Sequence, residues 1–191
     1  MNKFFFIILS VLSLVACTYQ ASWHNEYYFS DAKKIQIDGY DLQLMLNTTY
    51  QDKKGHHTVR KGPYRINLLL AKEYKNEEDI HVSKLIINSI NLNRSNETPY
   101  KFTKKFPITI HFTEKFVGKH FNGRYPFYLH TAQFIEKKLI DLNFISKEKV
   151  SIEIDISLVN QDGSVKERIN EVIKFYPELR KGEGPRPYLS V

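Results

Sequence analysis

Cys17 has the most specific chemistry in this chain, because it is the only cysteine among 191 residues. A thiol that ionises is a strong nucleophile and a ready site for covalent modification. Cys17 follows directly on an apolar run, Phe4–Val15, and on the small residue Ala16. A disulfide within the chain is excluded, because no second cysteine is present. The position of this thiol, at the end of an apolar run, is therefore the first feature to interpret.

The residues before Cys17 have the three parts of a secretory signal. Lys3 supplies the positive charge, Phe4–Val15 the apolar stretch of about 7–15 residues, and Ala16 the small residue at the cut. A helix that stays in a bilayer needs about 20 apolar residues. This run is shorter and is followed at once by polar Thr18. The pattern predicts a signal peptide over residues 1–16 that is removed on export.

Leu14-Val15-Ala16-Cys17 resembles the lipobox of bacterial lipoproteins, and the resemblance covers residues 1–17 alone. It implies cleavage between Ala16 and Cys17. It also implies a diacylglycerol thioether on the Cys17 sulfur and a fatty acyl group such as palmitate on the new amino terminus. One acyl chain binds a membrane marginally, whereas two or three hold a protein firmly. The alternative is an ordinary signal peptide followed by a chance cysteine.

The residue after the cysteine bears on sorting. In lipoproteins of enterobacterial type, an aspartate at this position retains the protein in the inner membrane. Here the position is Thr18. The resemblance therefore implies a lipid-anchored protein of the bacterial cell envelope, in the outer membrane and facing the periplasm.

Composition and charge limit the remaining possibilities. Removal of 16 residues leaves 175, enough for one domain with a sizeable core. The net charge of +7 falls to +6 when Lys3 leaves with the signal. This charge fits attraction to anionic lipid headgroups, or lysines that keep a β-domain soluble and guard its edges. Nucleic acid is not an expected partner of an exported protein.

Catalytic and cofactor motifs are absent from the sequence. There is no Gly-x-Ser-x-Gly element and no phosphate-binding glycine loop, and an acylated Cys17 could not act as a nucleophile. His56 and His57 are adjacent and would point to opposite faces of a strand. His111 falls on the polar side of an alternating segment, so it should face solvent. We therefore expect no enzymatic activity, no cofactor and no metal site.

One loop has a composition suited to binding an anionic or sugar-like group. The segment from Gly118 to Pro126 mixes cations with aromatic rings. Its candidate ligand residues are Lys119, His120, Phe121, Arg124 and Tyr125. The alternative is an ordinary long loop anchored by its rings.

Period-two alternation of apolar residues dominates the rest of the chain. It is clearest from Val150 to Leu158, where every second residue is aliphatic, and this is the pattern of a half-buried strand. Further strands are predicted at 41–48, 66–70, 82–92, 106–112, 127–134 and 165–175. Asp162-Gly163 predicts a tight hairpin. Gly55, Gly62-Pro63, Gly118 and Asn122-Gly123 mark other turns. Phe134–Leu142 has helical spacing, with Thr131 as a candidate N-cap, and predicts a short connecting helix.

About seven short strands predict an all-β fold, an antiparallel β-sandwich of which an immunoglobulin-like arrangement is one form. We expect a lipidated N-terminus and tether at 17–37, the sandwich at 38–181 and an exposed tail at 182–191. Aromatic residues of the tether could lie on lipid headgroups or pack against the domain.

The expected function is that of a non-catalytic binding or scaffolding module at the membrane. Its partners would be the membrane, through the acyl chains, and another envelope protein. The alternatives are a barrel-like carrier of an apolar ligand and, third, an envelope hydrolase.

Overall fold

A computed structural model describes residues 22–30, 35–54, 57–74, 80–94, 100–119, 126–144 and 147–183. Side chains of residues 54, 115–119, 126–127 and 183 are not among the described atoms. Within these ranges the chain forms ten strands and no helix. The strands are β1 (Ser22–Ser30), β2 (Ile35–Ile37), β3 (Tyr40–Lys54), β4 (His57–Tyr74), β5 (Val82–Arg94), β6 (Ile108–His111), β7 (Thr113–Lys119), β8 (Pro126–Ile135), β9 (Val150–Asn160) and β10 (Val165–Glu183).

The strands form one large, mostly antiparallel sheet that forks at β4. Its main order is β2-β3-β4-β1-β10-β9-β5-β6. The first part of β4 pairs in parallel with β1, at His57–Arg60. The last part, from Asn67 to Tyr74, pairs antiparallel with β8, and β8 also pairs antiparallel with β7. Buried residues from both branches belong to one hydrophobic core, so the branches pack face to face in a sandwich-like, all-β fold. This confirms the predicted fold class.

Alternation determines which side chains enter the core. In β9, Ile152, Ile154, Ile156 and Leu158 have no exposed surface. Their polar neighbours in the sequence lie on the other face, because successive side chains of a strand point to opposite sides. Leu42, Leu44 and Leu46 of β3 follow the same rule and are all buried.

The Asp162-Gly163 turn joins β9 to β10 as predicted. Gly163 has a φ of 88°, in the left-handed region where glycine pays no steric cost. The Asn160 carbonyl accepts a hydrogen bond from the Gly163 N–H at 3.1 Å. The Asp162 carboxylate accepts from the Ser164 N–H at 2.9 Å and from the Ser164 hydroxyl at 2.6 Å. Local hydrogen bonds therefore stabilise the turn that joins β9 to β10.

The predicted helix at Phe134–Leu142 is wrong. Thr131 lies within β8, which continues to Ile135, and the chain then runs on without helical structure. Ile140 forms an antiparallel bridge to Tyr64 of β4, with two backbone hydrogen bonds of 2.8 Å. The Glu136 N–H donates to the Ile66 carbonyl at 3.0 Å. These bonds to β4 satisfy backbone groups that a helix would have bonded internally, so tertiary contacts override the helical spacing.

Strands occupy parts of the predicted tether and of the predicted tail. β1 and β2 lie inside residues 17–37, the predicted tether, and β1 pairs with both β10 and β4. Tyr28 of β1 is buried in the core. At the other end, Gly182 is still within β10, where a Cβ would collide with the Trp23 ring. Trp23 and Tyr28 thus pack into the sheet whereas Phe29 is exposed, and the described strands run from Ser22 to Glu183.

Several predicted turns are placed differently as well. Gly62-Pro63 lies within β4 and Gly118 within β7, beside a register shift at Phe116. Gly55 and Asn122-Gly123 fall outside the described residues. The strand number is ten in the described residues instead of about seven, because β1, β2 and β7 were not predicted.

Candidate functional site

The sites predicted from sequence lie almost entirely outside the described residues. Ala16 and Cys17 are among them, as are His120, Phe121, Arg124 and Tyr125 of the candidate loop. Lys119 is described only through its backbone, as the last residue of β7, where it pairs with Pro126. The lipidation site and the candidate loop therefore stay predictions.

Among the described histidines, His130 is the one that the fold buries most clearly, and the sequence pattern did not identify it as special. It lies on β8 with 8% of its surface exposed. Its Nδ1 is 2.8 Å from the Tyr40 hydroxyl, within hydrogen-bond distance. The Phe112 ring stacks on the imidazole, with centroids 4.5 Å apart and planes inclined by 16°. Tyr74 meets the imidazole edge-on at 6.4 Å.

Burial decides the protonation of this centre. It lowers the pKa of His130, with Lys72 acting in the same direction and Glu114 opposing it. It also raises the pKa of the Tyr40 phenol, and the Asp38 charge adds to this effect. A neutral imidazole therefore meets a protonated phenol. The Tyr40 hydroxyl occupies Nδ1, and the Phe112 ring covers one face of the imidazole. The pair is therefore suited to holding β3 and β8 together. A catalytic base, by contrast, must be within reach of the proton that it abstracts.

A second group of side chains forms an exposed, strongly basic surface. Five lysines from two separate segments are exposed, and two aliphatic side chains of the second segment are exposed as well. We call this set the lysine patch: Lys101, Lys104, Lys105, Ile135, Lys137, Lys138 and Leu139. Ile135 and Leu139 are 44% and 40% exposed. The patch therefore combines positive charge with apolar surface.

Glu136 connects the two segments of the lysine patch from beneath. It has no exposed surface. Its carboxylate accepts hydrogen bonds from the Thr103 hydroxyl at 2.7 Å and from the Lys138 N–H at 2.9 Å. The Thr103 N–H donates to both carboxylate oxygens, at 3.4 and 3.3 Å. A buried acid of this kind persists because donors on the protein replace water.

Aromatic packing holds the first segment against the core. Tyr100 and Phe102 meet edge-to-face at 4.9 Å, and Phe102 and Phe106 at 5.4 Å. The Tyr100 hydroxyl donates to the Lys138 carbonyl at 3.0 Å. The Lys138 ammonium lies 5.0 Å from the centroid of the Tyr100 ring, in cation–π range. The lysines are thus presented on a backbone fixed by side-chain contacts.

Sequence reasoning missed the lysine patch for a definite reason. Each segment alone reads as a charged, solvated stretch, and a helix was predicted over the second. The Thr103–Glu136 hydrogen bonds join residues 33 positions apart, and no local pattern reports such a contact. The usable signal was the composition of residues 100–107, three lysines and three aromatic rings without an acid.

Metal-binding clusters and membrane-spanning helices are absent from the described residues. Among them, no group of three or more His, Cys, Asp or Glu side chains could hold a metal ion. None of the described segments forms a helix long and apolar enough to cross a membrane.

Comparison with known proteins yields no relative. No family model, no curated protein and no solved structure matches the chain.

Proposed function

We propose that this chain is a lipid-anchored protein of the bacterial envelope and works as a non-catalytic binding or scaffolding module. The anchor is Cys17, acylated after removal of residues 1–16, and the expected membrane is the outer one. The support for acylation is the lipobox resemblance of Leu14-Val15-Ala16-Cys17. The observation that carries the proposal is the place where the sheet begins.

β1 starts at Ser22, five residues after Cys17. At no more than about 3.6 Å per residue, this connection spans at most about 18 Å. A domain on so short a connection cannot reach far from the bilayer. It is suited to acting at the membrane surface, and less suited to carrying a ligand across the periplasm.

Two features favour binding over catalysis. The buried histidine, His130, is occupied by Tyr40 and covered by Phe112. The most distinctive exposed surface among the described residues is the lysine patch, whose ammonium and aliphatic groups are suited to binding an anionic partner. The hydrophobic core runs continuously between the branches of the sheet, which favours a packed module over a carrier.

Expression of the full chain in a bacterium tests the anchor. A globomycin-type inhibitor of lipoprotein signal peptidase should cause the uncut precursor to accumulate. Cys17→Ala should abolish both lipidation and that inhibitor-sensitive cleavage. Thr18→Ala, which leaves the cysteine intact, is the matched control and should behave like the parent. A Cys17→Ala protein processed like the parent would refute the proposal.

A further inference from the structure

We infer that the lysine patch is a docking surface for a membrane rich in anionic phospholipids. Its ammonium groups would contact headgroup phosphates, and Ile135 and Leu139 would enter the boundary between headgroups and acyl chains. This inference rests on the proposed function only for the presence of a membrane nearby. The charge and the exposed apolar side chains of the surface do not depend on the proposed function.

Charge is the first support. Residues 100–107 and 134–140 contain five lysines and one acid. That acid is Glu136, which is fully buried and whose oxygens face Thr103 and the Lys138 N–H. All five ammonium side chains are exposed. Each lysine near an anionic bilayer strengthens binding by a factor of about five.

The exposed aliphatic side chains decide between a membrane and a soluble polyanion. A soluble polyanion offers charge and nothing for Ile135 or Leu139 to bury in. An interfacial surface places apolar side chains in the acyl boundary, with basic residues around them. Lysine suits this position, because its methylene stem can lie on apolar surface while the ammonium stays in water. Both Ile135 and Leu139 flank Lys137 in the sequence.

The patch is also ordered before it binds. Glu136 fixes Thr103 and Lys138, and the edge-to-face pairs of Tyr100, Phe102 and Phe106 hold the first segment on the core. Little backbone entropy has to be lost on docking, so more of the contact energy is available for binding.

The location of the patch is compatible with an anchor at Cys17. β3 pairs along one edge of β4. On the opposite edge, β1 lies beside His57–Arg60 and Ile140 bridges Tyr64. Seven residues of extended chain from His57 to Tyr64 span about 23 Å. The start of β1 and the segment that ends at Ile140 therefore lie along the same edge of β4, about 23 Å apart.

Vesicle binding of an unacylated chain tests the docking surface. The probe is the mature chain, residues 17–191 with Cys17→Ser, sedimented with phosphatidylcholine vesicles that contain or lack phosphatidylglycerol. We expect binding only with phosphatidylglycerol, weakening as salt rises. Lys101→Gln, Lys104→Gln and Lys105→Gln together should weaken binding by roughly 100-fold, at about five per lysine. Since acylation plays no part, a failure here is distinct from a failure of the anchor.

The matched control removes the same charge elsewhere. Lys53, Lys166 and Lys174 are also exposed, and their triple Gln variant should keep most of the binding. Equal losses in the two triple variants would show a general charge effect and overturn the inference. Vesicle binding of the parent chain that does not depend on phosphatidylglycerol would also overturn the inference. A variant with Ile135→Ser and Leu139→Ser should bind vesicles several-fold more weakly; unchanged binding would overturn the choice of a membrane over a soluble polyanion. Thermal unfolding of every variant reports whether the fold is kept.

Discussion

Glu136→Gln should destabilise the domain by about 2–3 kcal/mol, although it changes one atom and almost no volume. The carboxylate accepts two short hydrogen bonds, from the Thr103 hydroxyl at 2.7 Å and the Lys138 N–H at 2.9 Å. Hydrogen bonds to a charged group contribute about 1.5–3 kcal/mol and neutral ones about 0.5–1.5. Neutralisation should therefore cost about 1 kcal/mol for each bond.

The new amide group adds a further penalty. In the parent, the Thr103 N–H lies 3.3 Å from the second carboxylate oxygen, Oε2. If the oxygen of the Gln side chain keeps the two short bonds, the NH₂ group of that side chain takes the place of Oε2 and faces the Thr103 N–H. Two donors then meet at a position with no exposed surface, and an unsatisfied buried donor costs about 1 kcal/mol or more. For a domain of this size, each kcal/mol lowers Tm by about 2–4 °C.

Thermal and urea unfolding at neutral pH measure this effect. Thr103→Ala should lose only the hydroxyl donor to the carboxylate and cost about 1.5–3 kcal/mol. Glu171→Gln is the matched control, since Glu171 is exposed on β10 and its neutralisation should change stability by less than about 0.5 kcal/mol. A Glu136→Gln protein as stable as the parent, or more stable, would show that relief of carboxylate desolvation outweighs the lost hydrogen bonds, and the reasoning would be refuted.

Three further predictions concern other parts of the fold. Arg94→Ala should cost about 1.5–3 kcal/mol, because it removes the cationic partner of Glu148 and leaves it the Asn143 N–H; the pair is bidentate at 2.7 and 3.0 Å, with side chains 12% and 10% exposed. Arg180→Ala, which breaks a more exposed pair, should cost about 0–1 kcal/mol in the same urea titration. The free energy of unfolding should fall as pH drops below about 6.5, because burial lowers the pKa of His130 and the unfolded chain then binds the proton more tightly. His130→Gln should flatten this part of the stability–pH profile. An unchanged slope would contradict the assignment of the effect to His130. Gly163→Val should slow or weaken hairpin formation and lower Tm, since φ is 88° there; a Tm equal to that of the parent would contradict the role given to the turn.

The predictable part of the fold is the part encoded locally. Alternation in β9 predicted its buried face because the face is decided by period two alone, and Asp162-Gly163 predicted the hairpin because its backbone requirement is local. The strand β1 was missed because its apolar residues are aromatic and not alternating, and their burial depends on β4 and β10.

The connection after β8 shows the opposite case. Phe134, Ile135, Leu139 and Leu142 have helical spacing, yet Ile135 and Leu139 are exposed while Glu136 is fully buried. A buried carboxylate is intelligible only once Thr103 is known to lie against it. The lysine patch depends on the same long-range contact. The sequence therefore predicted a cellular location and a fold class, whereas the lysine patch was identified only from the structure.

Mass spectrometry of the amino-terminal peptide of protein purified from bacterial membranes tests the proposed anchor. The peptide should begin at Cys17 and carry a diacylglycerol thioether on the sulfur and an acyl group on the amine. A free thiol at Cys17, or a mature chain that begins at any later residue, would contradict the proposal that this domain is held at the envelope by lipid.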